Sequence, residues 1–218
     1  PLRMRRMKTL PRMHQGRTIQ STHQFVTRCS ILLLVILTIA LQLQADAQEG
    51  TAVEPPRKIL AHYMPWYAAD PNNQNWGWHW TMNKFDPSQI VGGAPSIASH
   101  FHPLIGPYDS GDLDVLEYHL LTMKLAGIDG VIIDWYGLEN LHDYAALHRN
   151  TKRLIQQVER LRMWFAVCYE DQTISELIKN KRISPDSRVE HAASEIAWLA
   201  DHWFQSSSYI RHDDRPVM

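Results

Sequence analysis

Apolar positions along this chain are of two kinds. Residues 31–43 form a block of thirteen without a charge. From Ile59 onward, short apolar runs alternate with stripes at helical spacing. Residues 59–64 read as a strand stopped by Pro65. Residues 68–112 are irregular and rich in Gly, Pro, Asn, His and Trp. Residues 113–126 read as a helix with Leu116, Leu120 and Met123 on one face, Asp112 placed to cap it and Gly127 after its last turn. Residues 131–135 are a second strand, apolar as expected where both faces are covered. Residues 141–162 are a second helix, with Leu141, Tyr144, Thr151, Leu154, Ile155, Val158 and Leu161 on one face. A third strand follows at 163–169 and a short helix at 173–179. Ser184-Pro185 starts a helix to Trp203, striped by Val189, Ala193, Ile196, Ala200 and Trp203. Residues 216–218 read as the opening of a fourth strand.

Strands alternating with helices are the grammar of a parallel α/β fold. A doubly wound sheet predicts a Gly-rich phosphate turn after the first strand. Met64-Pro65-Trp66-Tyr67 stands there instead, and no P-loop occurs. A (β/α)8 TIM-type barrel predicts polar and aromatic residues at strand C-terminal ends, and these follow all three complete strands. The expectation is therefore a barrel of which residues 58–218 supply about the first half: strands one to three and the start of four.

The charge-free block changes the picture of the first 47 residues. Arg3, Arg5, Arg6, Lys8, Arg12, Arg17 and Arg28 precede it, and Ala45-Asp46-Ala47 follows with a small-x-small pattern. That is a secretory signal with a long basic lead, cut after Ala47. The block is shorter than the roughly 20 residues of a membrane span, so no stable anchor is expected after cleavage. The expected location is secreted or periplasmic. The chain begins with Pro1, so Met4, Met7 and Met13 are alternative starts. Residues 48–57 read as a linker. Removing 1–47 takes seven of the 22 Lys/Arg and one of the 23 Asp/Glu, leaving 15 basic and 22 acidic residues, net −7. Such acidity disfavours nucleic acid as a partner. Cys29 leaves with the signal and Cys168 remains alone, so no internal disulfide forms.

Candidate chemistry gathers at the strand ends: His62, Tyr63, Trp66 and Tyr67 after the first, Asp134, Trp135 and Tyr136 at the second, Glu170 and Asp171 at the third. All eight Trp lie beyond residue 47, four of them between Trp66 and Trp80. Trp78 and His79 add to the same face from the long first loop. Aromatic rings stack on the C–H patches of sugars, and carboxylates, His and Asn bond the hydroxyl rims. The expected partner is thus a polysaccharide or oligosaccharide. Glycoside hydrolysis uses two carboxyl groups roughly 5 to 9.5 Å apart, and Asp134 with Glu170 are the pair at hand. Metal is the rival use of His62, His79, His100, His102 and Asp134, but no local metal pattern such as H-E-x-x-H occurs. No metal and no cofactor are expected.

The stretches HYMPWY at 62–67, GWHW at 77–80, the run 106–137 ending in GIDGVIIDWYG, and CYED at 168–171 resemble glycoside hydrolases of the family 71 and family 99 type. That group contains endo-α-mannosidases and WbsX-like proteins. The resemblance implies a (β/α)8 barrel. It implies that Tyr63, Trp66 and Tyr67 line a sugar pocket, that Trp135 stacks on a sugar, and that Glu170 bonds substrate hydroxyls. Asp134 stands where family 99 members often have Ser, and Glu170-Asp171 where they often have Glu-Pro. The family's catalytic glutamate pair follows its fourth strand, which places it beyond Met218. The expected function is an exported, endo-acting glycosidase of extracellular polysaccharide, α-mannan-like glycan included. The alternatives are a non-catalytic carbohydrate-binding protein and a WbsX-type glycosyltransferase. Export and the lack of a nucleotide-phosphate motif speak against the last.

Overall fold

The computed structural model describes residues 57–70, 72 and 75–218. The signal and its cleavage site lie outside the described residues, as does the 48–57 linker apart from Arg57.

Three parallel strands form the centre: β1 (Leu60–Tyr63), then, after four short strands in the first loop, β6 (Gly130–Trp135) and β7 (Trp164–Tyr169), in the order β1-β6-β7. The four short strands are β2 (Ala69–Asp70) with β3 (Asn75–Trp76), and β4 (Ile90–Val91) with β5 (Ala94–Pro95), each pair antiparallel. Between β3 and β4 lies the one-turn helix α1 (Trp78–Thr81). The helices α2 (Leu113–Leu125), α3 (Tyr144–Arg160), α4 (Gln172–Lys179) and α5 (Arg188–His202) follow the order read from the sequence. The parallel α/β reading therefore holds. Asp112 caps α2 by accepting from the backbone N–H groups of Asp114 and Val115.

Register sorts side chains onto two faces. Tyr63, Ile133 and Val167 are aligned across the sheet, and so are His62, Ile132 and Ala166. Side chains alternate along a strand. Val131, Ile133 and Trp135 therefore share one face of β6, while Ile132 and Asp134 share the other. The first face meets Leu116 and Leu120 of α2, Leu154, Ile155 and Val158 of α3, and Leu199 of α5. Full burial of such an aliphatic side chain contributes about 1.5–3 kcal/mol.

Two sequence expectations shift. In α5, Val189 and Ala193 are exposed, and the buried positions are Glu195 and Leu199. Glu195 is drawn inward because it accepts hydrogen bonds from the backbone N–H of Leu138 at 2.7 Å and from the Tyr169 hydroxyl. The fourth sheet position is filled earlier than expected, by Tyr209, which bridges Phe165 in parallel. Ser208 and Ile210 flank it with backbone bonds to Phe165 of 3.0 and 2.8 Å. The chain then turns through Asp213 and Asp214, both at positive φ, into the hairpin of β8 (Arg211–His212) and β9 (Arg215–Pro216). Pro216 is thus the return arm of a hairpin. The Tyr209 hydroxyl accepts from the Val167 N–H at 3.1 Å and donates to the Val217 carbonyl at 2.9 Å.

Candidate functional site

The exit of β1 and the first loop build an aromatic wall. The Trp66 and His79 rings stack at 4.4 Å and 5°. The Tyr67 and Trp80 rings lie 3.9 Å apart, and Tyr108 meets both edge-on. Trp80 is buried and donates its indole N–H to the Tyr108 carbonyl. Burial, aided by Tyr67, pushes the Tyr108 hydroxyl up to about 12. The loop is pinned to the chain leaving β1 by Ser110, whose N–H donates to the Tyr67 carbonyl and whose hydroxyl accepts from the Tyr67 N–H. Asn150 of α3 donates to the Pro65 carbonyl at 3.0 Å.

This wall faces α3 across a cleft of about 820 Å³. Trp66, Trp78, His79 and Tyr136 line it, together with Tyr144, Asp109, Asp143, Arg149 and Asn150. Trp78 is half exposed. Nε2 of His79 lies 3.1 Å from a carboxylate oxygen of Asp143. Two buried polar atoms in the lining, Trp66 Nε1 and Asn150 Oδ1, have no hydrogen-bond partner among the described residues. Such atoms cost about 1–3 kcal/mol each unless a ligand or water satisfies them.

Tyr136 links this cleft to the pleat face opposite the helices. Its hydroxyl lies near the carboxyl of Asp134. Asp134 is buried at 5 % exposure. Burial raises its carboxyl above the usual range, Glu170 adds to the rise, and Tyr136 and His62 oppose it. Imidazole, carboxylate and thiol atoms of His62, Asp134 and Cys168 lie within 4.8 Å of one another. Burial raises the Cys168 thiol, with Asp134 and Glu170 adding to it. A carboxylate oxygen of Glu170 accepts from the Gln172 N–H at 3.3 Å.

Curated relatives match part of this chain. A glycoprotein endo-alpha-1,2-mannosidase-like protein of Mus musculus is 32% identical over 104 residues, 43% of this chain and 23% of the relative. The similarity extends to proteins named as enzymes. The glycoprotein endo-alpha-1,2-mannosidase of Mus musculus is 30% identical over 115 residues, 46% of this chain and 24% of that protein. This chain is similar to endo-alpha-1,2-mannosidases and their like. It spans about a quarter of the length of these curated relatives. The GH99 endo-alpha-mannosidase structure from Bacteroides thetaiotaomicron aligns at 16% identity and a TM-score of 0.47, covering 72% of this chain and 43% of that one. No protein-family model matches.

The endo-α-mannosidase-like motifs divide between cleft and core. Trp66, Trp78, His79 and Tyr136 come together in the cleft, and Tyr67 packs behind them. Trp135 does not line it. Its ring has no solvent exposure, donates its N–H to Nδ1 of His148 and lies among Tyr169, Trp198 and Trp203. One residue after Asp134, it points to the helix side, so it offers no stacking surface to a sugar. Tyr63 shares that side. It is 7 % exposed, and its hydroxyl bonds Nδ1 of His119 at 2.9 Å. Burial raises the Tyr63 hydroxyl, with Tyr108 adding to it. The five-residue metal set does not assemble: His100 packs edge-on against Phe101, and Nε2 of His102 bonds the Pro95 carbonyl at 2.9 Å. Sequence reading missed Asp143, Asn150 and Glu195. For Asn150 a signal existed, a polar residue inside the buried stripe of α3 between Leu147 and Leu154.

Proposed function

We propose that this chain carries the glycan-binding face of an exported, endo-acting glycoside hydrolase whose substrate is an extracellular polysaccharide containing α-mannosyl linkages. The parallel sheet and its helices would be part of a (β/α)8 barrel, with the cleft at the strand C-terminal ends. The basic lead, apolar block and small-x-small site in residues 1–47 support export. The activity in the name of the endo-alpha-1,2-mannosidase relative supports the linkage class.

One observation carries the reading: a cleft of about 820 Å³ with the half-exposed Trp78 ring and carboxylate, guanidinium and amide side chains in its lining. Sugars offer both an apolar ring face and hydroxyls that donate and accept. The exposed Trp78 ring supplies a stacking surface. The Asp109 carboxylate and the Arg149 guanidinium in the lining offer partners to sugar hydroxyls. Asp143 holds His79 against Trp66, which fixes that wall before the ligand arrives. Asp134 is too buried for wide contact with a ligand, and the nearby Tyr136 hydroxyl faces the cleft in its place. Glu170 is the more accessible carboxylate of the two. In the whole protein, carboxyl groups would provide acid and base catalysis.

Calorimetry with α-1,2-linked mannooligosaccharides tests this. Binding is expected, and Trp78→Ala should weaken it about tenfold, which corresponds to 1.4 kcal/mol of lost contact. Trp135→Ala should instead lower stability by about 3–5 kcal/mol, because it empties a core site. A folded chain that binds no α-mannoside and releases no reducing sugar rejects the proposal.

A further inference from the structure

The pleat face opposite the helices presents a donor set of which the glycan reading uses only Asp134. We infer that His62, Asp134 and Cys168 form a binding site for a thiophilic divalent cation, zinc foremost.

Three adjacent strands build it. Asp134 of β6 is the register partner of Cys168 of β7, so the two side chains stand side by side on one pleat face. His62 of β1 aligns with Ile132, one pleat earlier on the same face, and its ring reaches up to the pair. One atom from each of the three lies within 4.8 Å of the others. Zinc bonds of about 2.0–2.3 Å place tetrahedral ligand atoms about 3.3–3.8 Å apart. Closing the site therefore needs about 1 Å of movement. His62 is exposed and can supply it by side-chain rotation.

Donor chemistry selects the ion. One imidazole nitrogen, one carboxylate oxygen and one sulfur suit a borderline-soft metal and exclude the all-oxygen preference of calcium and magnesium. Three protein ligands leave a fourth tetrahedral position open to water or a small anion. The Tyr136 hydroxyl lies near Asp134 as an outer-shell group. Asp134 is buried and interacts with the nearby Glu170. A cation here would offset that negative charge where water screens it poorly. The inference stands apart from the glycan reading, because its readout involves no sugar.

The test uses the full 218-residue chain, reduced and stripped with a chelator, and cobalt(II) as the probe. One equivalent should produce a thiolate-to-cobalt charge-transfer band in the near ultraviolet, and zinc should displace it. Cys168→Ser should abolish the band and weaken zinc binding at least about 100-fold against a chromophoric chelator. His62→Ala, at an exposed position, should weaken it at least about tenfold while leaving the circular dichroism unchanged. Cys29→Ser should change neither, which separates the chain's other thiol. Absence of the band, its survival in Cys168→Ser, or equal zinc affinity in His62→Ala and the parent chain overturns the inference. The last outcome would assign the metal to other histidines.

Discussion

Glu195 holds together a turn that the backbone cannot hold alone. It is 2 % exposed and accepts from the Leu138 N–H and the Tyr169 hydroxyl, with Nε2 of His191 3.6 Å away. Gly137, just before that N–H, has φ +84, and a Cβ on it would sit 2.2 Å from a Glu195 carboxylate oxygen. The glycine is therefore required twice, by conformation and by space. Burial and the hydrogen bond to Glu195 raise the Tyr169 hydroxyl. Glu195→Ala leaves two part-buried donors without their acceptor and should lower unfolding free energy by about 2 kcal/mol, while Glu195→Gln, which keeps an acceptor, should lose less. Urea melts of the two variants check the order, and equal small losses would mean the turn holds itself. None of this was legible in the chain. A glutamate between Ala193 and Ile196 reads as solvent-facing until its partners on β6 and β7 are in place.

At the scale of elements, strands were easier to find than their faces. The apolar run that revealed β6 also concealed which of Asp134 and Trp135 pointed to the helices, since period-two alternation is hidden when neighbours are apolar. The structure gives Trp135 to α3, where its N–H donates to Nδ1 of His148 at 3.2 Å. That nitrogen must keep its lone pair. Burial lowers the His148 pKa below the ordinary 6.5, with Lys152 and His202 adding to the effect. Burial does the same to His119 beneath Tyr63. Unfolded chains therefore take up protons that native ones refuse as pH falls below about 6.5. The stability these residues contribute is complete above that value and is lost as pH drops through the folded pKa. Denaturant midpoints should fall between pH 7.5 and 5.5. His148→Gln should flatten the slope without removing it, since His119 remains, and an unchanged slope would exclude His148 as the cause.

The order of strands and helices across the molecule was legible because each connection is a simple crossover between parallel neighbours. The loop at 68–112 was legible only as a loop. Its aromatic wall depends on tertiary stacking of Trp66 with His79 and Tyr67 with Trp80, which no local period encodes. The end of the described chain was misread for a related reason. Asp213 and Asp214 at positive φ make the hairpin, and sequence gives Asp only a mild preference for that conformation. The residue that reaches β7 at its outer rim is Tyr209. Its phenol occupies a rung where a neighbouring carbonyl would otherwise receive the Val167 N–H. That phenol satisfies one donor of β7 next to the main-chain bonds that Phe165 makes with Ser208 and Ile210. Tyr209→Phe frees that N–H, and the loss should be about 1–3 kcal/mol. The freed rim should also seed turbidity in concentrated solutions, with unaltered stability and light scattering being the result that rejects the idea. Through one hydroxyl, a backbone donor of the described outer strand stays occupied, and an occupied donor is not a template for a stray chain.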